Sequence, residues 1–65
     1  MFKTVKTIHI GAYALKLKKA PGKGVYARPM YHGSYVAPWL YVPRGTMRAA
    51  EQHPWTYWEA ANSQD

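Results

Sequence analysis

The chain has 65 residues, nine Lys or Arg against three Asp or Glu, a formal charge of +6 and no cysteine. A chain of this length forms one small domain with a limited core, and the absence of cysteine excludes disulfides, thiolate zinc sites and cysteine chemistry. Nothing in the composition indicates an oxidising compartment, so the cytoplasm is the expected location.

Aromatic residues are unusually important in this composition. Leu, Ile, Val and Phe supply only 10 of the 65 residues, a share that is typical of disordered chains when the charge is high. Six Tyr, three Trp and one Phe oppose that reading, because each ring buries about 150–250 Å². We therefore predict a folded domain whose core is built mainly from rings.

The stretch over residues 2–19 has the pattern of β-strand. Apolar side chains at positions 13, 15 and 17 alternate with Lys16 and Lys18, which predicts one buried face and a lysine pair on the other. Gly11 divides the stretch, and it is either a tight turn between two strands or a bulge within one bent strand.

The middle of the chain contains the clearest turn and two further extended segments. Ala-Pro-Gly-Lys-Gly over residues 20–24 has the composition of a tight turn. A strand follows from Val25 to about Arg28, and Pro29 either ends it or places it at a sheet edge. Residues 35–42 are again extended and apolar on both faces, which predicts a sandwiched strand or contact with a partner, while Pro38 argues against a central position.

The last third of the chain is predicted to be helical. Thr46 is a suitable N-cap for a helix over residues 47–51, and Pro54 should end or restart that helix at His53. Thr56 and Glu59 have the spacing of a capping box, which predicts a second short helix from residue 57 towards residue 61.

These elements predict one compact α+β domain over residues 1–65. It combines a small antiparallel sheet of three to four strands, in a basic β-rich part over residues 1–43, with a short C-terminal helix in a helical part over residues 45–61. No apolar run approaches the length of about 20 residues that a membrane-spanning helix needs, so no membrane association is expected.

The charge is strongly segregated along the sequence. All nine basic residues lie between positions 3 and 48, so the first 50 residues carry +9 and the last 15 carry −3. Cations interleaved with rings suit phosphate contacts beside base stacking. The candidate nucleic-acid-binding residues are Lys16, Lys18, Lys19, Lys23, Arg28, Tyr26, Tyr31 and Tyr35. The alternatives are a solvated strand face that protects an edge, or contact with an acidic protein surface.

A second candidate surface is aromatic and consists of Trp39, Tyr41, Trp55, Tyr57 and Trp58. Helical spacing places Trp55 and Trp58 on one face, where they either cover the sheet or anchor a protein partner. The alternative function is therefore a small protein inhibitor or accessory subunit, of a phage or mobile-element type, that modulates a larger host complex. Residues 35–43 also suit edge-to-edge pairing of two copies, which would give a homodimer.

Catalytic and cofactor chemistry is nearly absent from the sequence. His9, His32 and His53 have no metal-ligand spacing, and Ser34 with His32 lacks a third member for nucleophilic catalysis. The aromatic RNP signature, the KH loop, the zinc-finger spacing and a helix-turn-helix pattern are also missing. We therefore predict a non-catalytic binding protein that uses no cofactor or metal and contacts DNA or RNA through a lysine-rich hairpin.

Overall fold

The protein folds into an antiparallel sheet followed by two helices, in a computed structural model that describes residues 5–64. The elements are β1 (Val5–Ile10), β2 (Tyr13–Lys19), β3 (Val25–Tyr31), β4 (Ser34–Tyr35), β5 (Leu40–Val42), α1 (Met47–Gln52) and α2 (Pro54–Asn62). The strand order is β1-β2-β3-β4, and β5 also pairs with β3. The prediction of an α+β fold is confirmed, with five strands where three to four were expected. The expected start of the first strand, at residues 2–4, lies outside the described residues.

The role of Gly11 is settled by the register between β1 and β2. Ile10 pairs with Tyr13, so only Gly11 and Ala12 connect the two strands. Gly11 has a φ of 60°, as the first central residue of a type II′ hairpin requires, and glycine adopts this conformation without steric cost. Gly11 is therefore a hairpin turn and not a bulge.

The expectation that Pro29 ends its strand or lies on an edge is wrong. β3 continues to Tyr31 and is an interior strand, with β2 on one side and the short β4 and β5 on the other. The Pro29 carbonyl accepts a hydrogen bond from the Val36 backbone at 3.1 Å, so the nitrogen of Pro29 faces the same side. β5 pairs with residues 25–27 and β4 with residues 30–31, so the missing N–H points at the gap between these two strands.

The predicted continuous strand over residues 35–42 is also wrong in its middle. Tyr35 ends β4 and Leu40 begins β5, and residues 36–39 form a loop that contains Pro38. A two-residue turn that sequence reasoning missed begins this region, since His32 and Gly33 both have positive φ, 49° and 80°, as a type I′ hairpin requires. The edge on which pairing of two copies was expected is therefore interrupted.

The first predicted helix is confirmed, whereas the second begins earlier than expected. The Thr46 hydroxyl accepts a hydrogen bond from the Ala49 N–H at 3.0 Å and caps α1. α2 begins at Pro54. A proline is well tolerated at the first position of a helix, because the N–H group at that position has no partner within the helix and its absence costs nothing. Thr56 consequently lies inside the helix, and its predicted role as a cap is wrong.

The core lies between the helices and one face of the sheet. Its buried cluster consists of Leu15, Leu17, Ala27, Ala50, Trp58 and Ala61. Among the described residues Trp58 is the only buried ring, so the prediction of a core made mainly from rings is wrong. Three alanines instead allow the helices to pack closely on the sheet, and the Trp58 indole donates a hydrogen bond to the Met30 carbonyl at 3.1 Å.

Gly24 is predicted to be more sensitive to substitution than Gly22, although both have a left-handed φ near 90°. A Cβ atom on Gly24 would lie 2.5 Å from the Val42 carbonyl oxygen, whereas one on Gly22 would meet no described atom within 4 Å. Gly22→Ala should therefore lower the free energy of unfolding only by the conformational penalty of about 1–2 kcal/mol. Gly24→Ala should cost about 1–3 kcal/mol more, because the backbone must shift. Urea unfolding measures the free energy of unfolding of both variants. Equal losses of stability would contradict the close approach of Gly24 to the Val42 carbonyl.

Candidate nucleic-acid interface

The face of the sheet opposite the helices carries a row of cations and rings, and we call it the open face. Leu15 and Leu17 are fully buried beneath the helices, so strand alternation directs Lys16 and Lys18 to the other side. The register pairs Lys16 with Arg28 and Lys18 with Tyr26, which extends the open face onto β3. The predicted placement of the lysine pair on one surface is confirmed.

One end of the open face is a group of three rings around a lysine, which we call the Trp39 group. The Lys18 ammonium nitrogen lies 4.4 Å from the centre of the Trp39 ring and 5.3 Å from that of Tyr26. Tyr41 pairs with Tyr26 across β5 and β3, and the two ring centres are 5.2 Å apart. The Tyr41 hydroxyl donates a hydrogen bond to the Lys23 carbonyl at 2.8 Å, which fixes its ring against the turn.

The other end is a ring held by two cations, the Tyr35 group. The Arg28 guanidinium carbon lies 3.8 Å from the centre of the Tyr35 ring, within the range of a cation–π contact. The Lys16 ammonium donates a hydrogen bond to the Tyr35 hydroxyl oxygen at 2.9 Å. The Arg28 Nε atom donates to the Ala37 carbonyl at 3.0 Å, so the loop after β4 orients the guanidinium.

The two cations also change the acidity of Tyr35. The hydrogen bond from Lys16 lowers the pKa of the Tyr35 phenol from its ordinary value of 10.0. Desolvation opposes this change, and the charges of Lys16 and Arg28 act in the same direction as the hydrogen bond. The Tyr35 side chain therefore experiences a local excess of positive charge.

The two acidic residues that the structure describes lie away from this surface. Glu51 and Glu59 are on α1 and α2, which pack against the other face of the sheet, and Asp65 lies outside the described residues. Glu51 accepts a hydrogen bond from the Lys6 ammonium at 2.8 Å, near the helices. The described acids thus lie on the helix side together with Lys6, Lys19 and Arg48, whereas the charged side chains on the described part of the open face are all basic.

The structure brings together five of the eight candidate nucleic-acid-binding residues, namely Lys16, Lys18, Tyr26, Arg28 and Tyr35. Lys19 alternates to the helix side and lines a cleft beside Thr46 and Met47. Tyr31 is also on the helix side, with its ring centre 4.8 Å from that of Tyr13. Lys23 lies in the turn that follows β2.

The predicted aromatic surface is divided between the two faces of the sheet. Trp39 and Tyr41 belong to the open face, which sequence reasoning missed because their placement depends on the pairing of β5 with β3. Trp55 stacks on Trp58 with ring centres 5.0 Å apart and planes at 7°, so the prediction that they share a face is confirmed. Trp55 is 41% exposed, whereas Tyr57 packs partly buried against the core.

Other classes of site receive no support in the described part of the chain. Residues 5–64 contain no group of three His, Cys, Asp or Glu side chains that could hold a metal ion. The two described helices lack the length and apolar character of a membrane span. Comparisons with protein-family models, curated proteins and solved structures give no significant match. The open face is therefore the feature from which a function is inferred.

Lys16→Met is predicted to raise the pKa of the Tyr35 phenol, because it removes a hydrogen bond and a charge that favour the phenolate. The measurement is an absorbance titration of the native protein and of Lys16→Met. Each titration is repeated after Tyr35→Phe, and the difference between the two curves gives the titration of Tyr35 alone. Lys19→Met is the matched control, because Lys19 lies on the opposite face. A Tyr35 titration that is the same in all three backgrounds would contradict the contact.

Proposed function

We propose that the protein binds nucleic acid through its open face and catalyses no reaction on it. The observation that supports this is the placement of three cations, Lys16, Lys18 and Arg28, among four rings on one face of the sheet. Cations provide contacts to phosphates, and rings provide platforms for bases, so both parts of a nucleotide find a partner on this face.

The energetics favour the exchange of ring contacts for phosphate contacts. A cation–π contact at an exposed site contributes about 0.5–1 kcal/mol. A hydrogen bond between a cation and a charged acceptor contributes about 1.5–3 kcal/mol, and an arginine can bind a phosphate with two parallel bonds. Lys18 and Arg28 therefore gain free energy when a phosphate replaces a ring contact, whereas Lys16 exchanges one charged hydrogen bond, to the Tyr35 hydroxyl, for another.

The whole-molecule charge supports the same partner. The formal charge is +6 and the isoelectric point is near 9.9, which steers a polyanion towards the protein. Glu51 and Glu59 lie on the helix side, so no described carboxylate repels a phosphate at the open face. The cysteine-free composition is compatible with a cytoplasmic location for this activity.

Lys18→Ala and Arg28→Ala are each predicted to make the binding of nucleic acid less dependent on salt. The slope of log K against log salt concentration should become less steep by about 0.7–0.9, which is the contribution of one phosphate contact. Lys19→Ala is the matched control, because Lys19 neighbours Lys18 in sequence but lies on the helix side. Fluorescence-anisotropy titrations with labelled DNA and RNA at several salt concentrations measure the slopes. If Lys18→Ala and Lys19→Ala had the same effect, the assignment to the open face would be wrong.

A second candidate function uses the helix side of the sheet. Trp55 and Tyr31 are 41% and 42% exposed, and both rings contact Tyr13, with centres 5.1 Å and 4.8 Å away. Exposed aromatic residues of this kind anchor protein interfaces, as expected for a small inhibitor or accessory subunit of a larger complex. Trp55→Ser separates the two candidates, because it should leave nucleic-acid binding unchanged and weaken binding to a protein partner.

A further inference from the structure

We infer that the open face selects single-stranded over duplex nucleic acid, with bases taking the positions above the rings that lysine and arginine side chains occupy in the free protein. This inference rests on the proposed function and names its substrate class. It follows from the way the cations sit on the rings, from the position of the cations within the sheet and from the distance between the two ring groups.

The cations occupy the places where bases would stack. The Arg28 guanidinium lies 3.8 Å from the centre of the Tyr35 ring, and the Lys18 ammonium lies 4.4 Å from that of Trp39. A base stacks on such a ring face only after the cation moves aside. The displaced cation stays within reach of the backbone of the strand whose base has replaced it. Each group therefore combines one position for a stacked base with one cation that binds a phosphate.

The spacing of the two groups fits a short stretch of an unpaired strand. Tyr41 pairs with Tyr26 and Tyr35 pairs with Met30, so the two groups are anchored four residues apart on β3. At about 3.3 Å per residue this distance is roughly 13 Å. At a rise of about 3.4 Å per nucleotide, roughly four stacked nucleotides cover it, and fewer are needed when the strand is extended. Ring stacking accepts every base, so little sequence preference is expected.

A duplex does not fit this arrangement. The three cations are on β2 and β3, which are interior strands, with β1 on one side and β4 and β5 on the other. Four strands about 4.8 Å apart span roughly 14 Å, more than the width of about 12 Å of the major groove. The bases of a duplex are stacked on one another and present only their edges in the grooves. A duplex therefore meets the open face with phosphates alone and gains nothing from the rings.

The test compares three labelled ligands with the same number of phosphates on the recognised strand: an oligothymidylate of ~10 nucleotides, an abasic strand of that length, and the duplex form. Anisotropy titrations of the full-length protein at two salt concentrations give each affinity. We expect the oligothymidylate to bind about 5- to 100-fold more tightly than the abasic strand, because only the former has bases to stack. The duplex should bind more weakly than the oligothymidylate at both salt concentrations.

Ring variants attribute the difference to the open face. Tyr35→Leu and Trp39→Leu should each reduce the preference for the oligothymidylate over the abasic strand, and Tyr35→Phe should retain it because the ring remains. Trp55→Leu, on the helix side, is the control and should leave the preference unchanged. A Tyr35→Phe protein that loses the preference, or a Trp55→Leu protein that does, would overturn the assignment of stacking to these rings.

The outcomes separate this inference from the proposed function. Equal binding of the oligothymidylate and the abasic strand, or duplex binding as tight as that of the oligothymidylate, would overturn single-strand selection and leave a phosphate-binding face. The absence of salt-dependent binding to all three ligands would overturn the proposed function itself.

Discussion

The alternation of side chains along β2 and β3 is the constraint on which the rest of the molecule depends. Leu15, Leu17 and Ala27 point to one side and are fully buried, while Lys16, Lys18 and Arg28 point to the other. A shift of the register by one residue would exchange the two sets and bury the cations, which is prohibitively costly without partners. The core and the open face are therefore fixed by the same pairing.

This division lets a short chain combine a small core with an unusual surface. Ala27, Ala50 and Ala61 occupy little space, so α1 and α2 approach the sheet closely and Trp58 closes the core. The helices cover one face only, and the rings that they do not use remain on the surface, four of them around the cations. On the open face the three cations, Tyr26 and Trp39 are partly buried, which limits how far these side chains move before a ligand arrives, whereas Tyr35 and Tyr41 are exposed.

Sequence rules recovered the features that depend on neighbours in the chain. The lysine pair on one strand face and the Thr46 cap follow from periodicity and from local hydrogen bonding. Pro29 was misplaced because its tolerance depends on a gap between β4 and β5, which no local pattern reveals. Sequence reasoning assigns Trp39 and Tyr41 to a different surface from the lysines for the same reason, since only the pairing of β5 with β3 brings them to Lys18. Long-range pairing therefore decides two of the seven side chains of the open face, both in the Trp39 group.

The most direct test of the open face as the binding site is a nuclear magnetic resonance titration of the isotope-labelled protein with a short oligothymidylate, followed through backbone amide and tryptophan indole signals. The largest shifts should fall on residues 16–18, 26–28 and 35–41 and on the Trp39 indole, with small shifts over α1 and α2. Largest shifts over residues 54–62 and at the Trp55 indole, with the signals of β2 and β3 unmoved, would contradict the account and assign binding to the helix side.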